Sequence, residues 1–137
     1  MGFVSSTEMT LAVEGWPPAK NEAKSMLAAG HVHSDRVLKL LAAAKEAARG
    51  FPSPAFGVDP VGLELLVRSP TEPLADATNF LGGVGDVLEA KARRGVLAHL
   101  GDLASVALYV NDRQIHEVSY RWERTEETSY SVRVWRL

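Results

Sequence analysis

The sequence predicts a single α/β domain with two main helices, its elements following the order β-α-β-α-β-β-β. Two observations carry that reading. Apolar residues recur at three and four positions over 35–49 and again from Asn79, the period of a helix face, while several other stretches alternate apolar with polar, the period of a strand. Prolines, glycines and polar clusters stand between these stretches, where a chain must turn. Length sets the scale: 137 residues suit one domain, and a chain of this size hides roughly two-thirds of its unfolded surface on folding.

The first strand covers Met9 to Val13 and ends at Gly15-Trp16-Pro17-Pro18, because two prolines cannot donate ladder hydrogen bonds. Ser34 then stands as an N-cap before DRVLKLLAAAKEAAR, whose Val37, Leu40, Leu41, Ala44, Ala47 and Ala48 fall on one helix face. Asp35 and Arg49 suit the helix dipole, and Gly50 is the stop. VGLELLVR forms a second strand that ends at Ser69-Pro70, and SPTEPLAD is a loop. A second helix starts at Asn79, with Phe80, Leu81, Val84, Val87 and Leu88 as its apolar face; Gly82, Gly83 and Gly85 weaken it, each by up to about 1 kcal/mol relative to Ala. SVALYV is strand-like, NDRQ is a turn, and IHEVSYRWER and YSVRVWRL form a terminal hairpin around TEETS. Ile115, Val118, Tyr120 and Trp122 do not keep one parity, so a bulge is expected near Glu117.

Composition excludes several classes. The chain has no cysteine, which removes disulfides, thiolate zinc sites and cysteine nucleophiles and fits a reducing cytoplasm. No apolar run approaches the ~20 residues of a membrane-spanning helix, and the N-terminal residues lack the basic and apolar regions of a signal peptide. A net charge of −2 counts against a strongly basic nucleic-acid binder. The LGGVGD glycines match neither GxGxxG nor a G-K-[ST] loop, so no nucleotide cofactor is expected; such residues let a helix approach another backbone, such as that of a dimer mate. HVHSD, with His31 and His33, reads as loop histidines, since two histidines one residue apart converge only on a strand.

Four features now stand in fixed order: WPPAKN after the first strand, the helix after His33, DATN at a helix start, and NDRQI between late strands. This combination resembles the RusA family of Holliday-junction resolvases, in which W-P-P-S-x-N, D-x-D-N and D-D-x-Q-[IV] occupy those places. The resemblance runs from about Leu11 to Val134. It implies that residues 1–137 form one RusA-like domain with a mixed sheet, and that 91–103 is an inserted connection. It further implies a cytoplasmic homodimer that places carboxylates around Mg²⁺ to cleave branched DNA, as in recombination and repair.

Residue by residue, the resemblance nominates Asp76 and Asp112 as metal ligands and Asp86 as a further catalytic carboxylate, oriented by Asn79. Lys20, Asn21, Lys24 and Asn79 are the substrate-facing positions, and Lys91, Arg93 and Arg94 form a second basic cluster. Three positions depart from the pattern. Thr78 replaces the second acid of D-x-D-N, Asn111 the first aspartate of the late pair, and Gly82 a lysine. A hydroxyl or amide is a weaker ligand than a carboxylate for a hard cation. The expected function is thus a metal-dependent endonuclease fold with weakened or lost catalysis, and the alternative is a non-enzymatic dimeric binding or scaffold protein. Taken singly, Asp76 also reads as a helix cap, Asp112 as a turn residue, and Asp86 and Glu89 as surface side chains.

Overall fold

The computed structural model describes residues 7–20, 34–90, 102–103 and 105–137. Strand β1 (Glu8–Glu14) is followed by helix α1 (Ser34–Ala47), strand β2 (Val61–Ser69), helix α2 (Ala77–Leu88), strand β3 (Ile115–Arg124) and strand β4 (Ser129–Arg136). The domain is α/β, and the expected β-α-β-α-β-β-β order is present, with its fifth element, 105–110, reduced to one parallel bridge between Tyr109 and Glu89. Asn21, Lys24, His31, His33, Lys91, Arg93, Arg94 and His99 lie outside the described residues, as does most of the expected insertion at 91–103.

The four strands form one mixed sheet in the order β1-β4-β2-β3. β4 runs antiparallel to both of its neighbours, and β2 and β3 are parallel. This overturns the terminal hairpin. Although only 125–128 separate β3 from β4, β2 lies between them. The cause is burial: β2 hides Val61, Leu63, Leu65 and Val67 completely and half-buries Glu64, Leu66 and Arg68 on its other face. A strand shielded on both faces sits inside a sheet and pairs along both edges. β4 and β3 each take one.

The bulge expected near Glu117 is found beside it. Val61 faces Ile115 and Gly62 faces Glu117, which leaves His116 as the extra residue. That shift puts Val118, Tyr120 and Trp122 opposite Leu63, Leu65 and Val67 and explains their broken parity with Ile115.

One face of the sheet carries the core. Met9, Leu11 and Val13 from β1 and Tyr130, Val132 and Val134 from β4 join the buried residues of β2. Val37, Leu40, Leu41 and Ala44 of α1 and Phe80, Val84, Val87 and Leu88 of α2 complete the cluster. Each such side chain, fully buried, contributes about 1.5–3 kcal/mol relative to exposure. Gly50 ends the α1 region with φ +83°, a left-handed conformation that other residues adopt at a cost. Among the described residues, no helix is long and apolar enough to cross a membrane.

The opposite face is polar. Arg133 bridges Glu8 at 3.1 Å and Glu64 at 3.2 Å, and its guanidinium lies 4.2 Å from the centre of the Trp135 ring. Trp135 in turn lies flat on Gly62, where a Cβ would come within 2.1 Å of the indole. On the core side instead, Trp122 packs at the edge of the cluster and donates from Nε1 to the buried Ser69 hydroxyl at 2.8 Å.

Candidate metal centre

Helix α2 organises the site, and Asp76 starts it. The Asp76 carboxylate accepts from the Asn79 amide at 2.9 Å and from the Thr78 hydroxyl at 3.1 Å. An acceptor there satisfies an amide that the helix leaves free, and its negative charge suits the helix N-terminus. Thr78, standing where the resemblance expects a second acid, is thereby a partner of the cap.

The WPPAK segment is laid directly against α2. Trp16 stacks on Phe80, with ring centres 6.1 Å apart and planes within 11°. At Gly83 a Cβ would fall 2.1 Å from the Pro18 carbonyl oxygen and 2.7 Å from the Ala19 carbonyl carbon. At Gly82 it would fall 2.7 Å from Cδ of Lys20. The backbone that Gly83 admits is therefore the chain's own, while Gly82 admits the Lys20 side chain. Lys20 is exposed, and its aliphatic stem crosses α2 one turn before Asp86.

Further along the helix, Asp86 and Glu89 meet Asp112. One carboxylate oxygen from each lies within 4.8 Å of the others, and all three side chains are half-buried. Asp86 belongs to α2, while Glu89 is its C-cap in extended backbone. Asp112 opens a short 3-10 turn, Asp112–Gln114, just before β3.

That turn is tied down with unusual completeness by Gln114. Its Oε1 accepts from Val110 N at 2.9 Å and Asn111 N at 2.8 Å, while Nε2 donates to the carbonyls of Gly57 and Asp59, each at 2.9 Å. Asn111 caps the turn by accepting from the Arg113 amide at 2.9 Å. An uncharged amide serves that purpose as well as a carboxylate does.

Tyr109 lies beneath the acids, fully buried, and donates its hydroxyl to the Gly85 carbonyl at 2.7 Å. Burial pushes the Tyr109 phenol well above its ordinary range, and the nearby charges of Asp112, Glu89 and Asp86 push it further the same way. It remains a proton donor at any physiological pH.

Three carboxylates this close repel one another when all are ionised. A divalent cation turns that repulsion into attraction. An all-carboxylate donor set suits a hard cation such as Mg²⁺ or Mn²⁺ and not one that prefers thiolate or imidazole ligands. The residues present therefore fit the metal.

The structure brings two of the three expected acids together, Asp86 and Asp112, and adds Glu89. Asp76 is not in the group: it stands ten residues before Asp86, about 15 Å along a helix axis, with its carboxylate turned onto Asn79. Asn79 is also too distant to orient Asp86, since seven residues span roughly 10 Å of helix. Glu89 was read as a surface residue. Glu89 stands in extended backbone just past the helix end, so helical spacing did not mark it. No protein-family model matches the chain, and no curated protein matches it either.

Proposed function

We propose that this protein is a divalent-metal-dependent endonuclease of the RusA type acting on branched DNA, with the cation held by Asp86, Glu89 and Asp112. The observation that carries the reading is the convergence of three carboxylates within 4.8 Å at the junction of α2 and the turn before β3. A cation bound there supplies Lewis-acid polarisation of a phosphodiester. Lys20, whose stem crosses α2 one turn from Asp86, provides a positive charge for the DNA backbone on the same side of the helix. The test is a four-way DNA junction incubated with the protein and Mg²⁺ or Mn²⁺. Cleavage is expected with metal and is expected to vanish in Asp86→Asn and Asp112→Asn. Cleavage that survives both substitutions would sink the assignment.

A second reading is a non-enzymatic dimeric binding or scaffold protein on the same fold. It is favoured by Thr78 and Asn111, which stand at positions of expected acids and serve as capping contacts instead. Saturable Mn²⁺ binding together with junction binding but no nicking would select it.

A further inference from the structure

The three carboxylates come from two segments far apart in sequence, and something must set the gap between them. Two backbone hydrogen bonds join the segments at the end of α2, from Leu108 N to Leu88 O and from Ala90 N to Tyr109 O, both 2.9 Å. They fix the 108–109 strand fragment against 88–90, next to Glu89. Neither reaches back to Asp86, which lies inside the helix. The Tyr109 side chain does, because its hydroxyl meets the carbonyl of Gly85, the residue just before Asp86.

We propose that Tyr109 is a positioning residue for the metal centre: its hydroxyl, bonded to the Gly85 carbonyl, holds α2 at the distance from the 108–112 segment at which Asp86, Glu89 and Asp112 share one cation. This rests on the metal reading above. Tyr109 does not contact the cation or the substrate in this role. It is fully buried near all three acids, and with its backbone paired at 88–90 and its hydroxyl on Gly85 the length of the phenol fixes the separation. Removing the hydroxyl leaves the backbone pair at 88–90 in place and frees the helix at Asp86 to shift relative to Asp112.

Tyr130 supplies the internal comparison. It is also fully buried, on β4 in the same core, but its hydroxyl has no hydrogen-bond partner among the described residues. Tyr109→Phe and Tyr130→Phe thus remove the same atom from equally buried rings, and one of the two bears on the acids.

The experiment is calorimetric titration of the parent, Tyr109→Phe and Tyr130→Phe with Mn²⁺. Loss of a group that orients metal ligands costs about tenfold in affinity at the lower end of the usual range, and that loss is expected for Tyr109→Phe while Tyr130→Phe binds as the parent does. Equal affinity in the two variants overturns the inference and leaves the metal reading standing. A parent that takes up no Mn²⁺ overturns both. Should Tyr109→Phe fail to fold, the parent labelled with ¹³Cζ-tyrosine decides the matter. The Tyr109 resonance is expected to move on Mg²⁺ addition with the calorimetric midpoint, and a resonance that stays put through saturation refutes the role.

Discussion

Adding one methyl group to each of two adjacent glycines should give results of very different size. At Gly83 the new carbon would stand 2.1 Å from a carbonyl oxygen, 2.6 Å from the Pro18 carbonyl carbon and 2.7 Å from that of Ala19. These are backbone atoms of a proline-stiffened segment and cannot step aside alone. Overpacking of this kind costs about 1–3 kcal/mol, and lifting the segment also gives up the Trp16–Phe80 stack, about 0.5–1.5 kcal/mol beyond its buried area. The better helix propensity of Ala returns about 1 kcal/mol. The net expectation for Gly83→Ala is a loss of about 2 kcal/mol, which for this chain length is a fall in Tm of roughly 7 °C. At Gly82 the close atoms are the Cδ, Cβ and Cγ of an exposed lysine, at 2.7, 3.0 and 3.2 Å; the outer two can swing away, and the Cβ has to give by only a few tenths of an ångström. Gly82→Ala should therefore match the parent or gain up to about 1 kcal/mol. Urea and thermal unfolding followed by circular dichroism measure both. If Gly83→Ala is as stable as Gly82→Ala, the WPPAK segment does not lie on α2 as described.

Three further predictions concern the site and its supports. Asp76→Ala should cost about 1 kcal/mol of stability through the lost cap while leaving Mn²⁺ affinity at the parent value, and a calorimetric titration that shows lost binding would return Asp76 to the metal site. Gln114→Leu removes four hydrogen bonds from the turn that presents Asp112, and with Val110 and Asn111 exposed to water the cost is about 2 kcal/mol in a urea melt; Mn²⁺ affinity should fall with it. The third is alkaline titration. Burial raises the folded-state phenols of Tyr109 and Tyr130 above their unfolded value, so the stability they confer is full below about pH 10 and is lost as pH rises towards their folded values. Absorbance near 295 nm should show Tyr120, half-buried and raised less, ionising first, and the other two only together with unfolding. Smooth titration of all three in a still-folded protein would contradict the burial.

How much of this the sequence disclosed depends on the range of the interaction that decides each feature. Helix α1 was legible because its apolar spacing and stop at Gly50 are local. The bulge was legible too, since a break in parity between Ile115 and Val118 is visible in ten residues. The pairing of β4 was not: two alternating segments around a short polar turn look the same whether they pair or straddle a third strand. What decides is the burial of β2 on both faces, and its near-continuous run Val61-Gly62-Leu63 was the available hint. In the candidate site, Asp86 and Asp112 were nominated through resemblance and the structure places them together, and the capping reading of Asp76 came from helix-end chemistry. Glu89 was missed because it stands outside the last turn, where helical spacing loses its authority. The paired glycines announced a close approach without naming the neighbour, because a missing side chain records space and not its occupant.

The place of β4 has a consequence for how the protein is made. The final strand of the sequence lies between β1 and β2, and it joins Arg133 to Glu8, 125 positions away. β1 has β4 as its partner in the sheet and so waits, during synthesis, until β2 and β3 have emerged and β4 follows them. A chain whose strands all pair with partners distant in the sequence closes loops before it gains contacts, which slows folding and leaves apolar strands uncovered in the meantime. Until β4 arrives, β1 and the inner edge of β2 are open to any other strand, including those of a second nascent chain. A pause in translation after β2 has emerged and before β4 has should thus favour aggregation more than a pause once β4 is out.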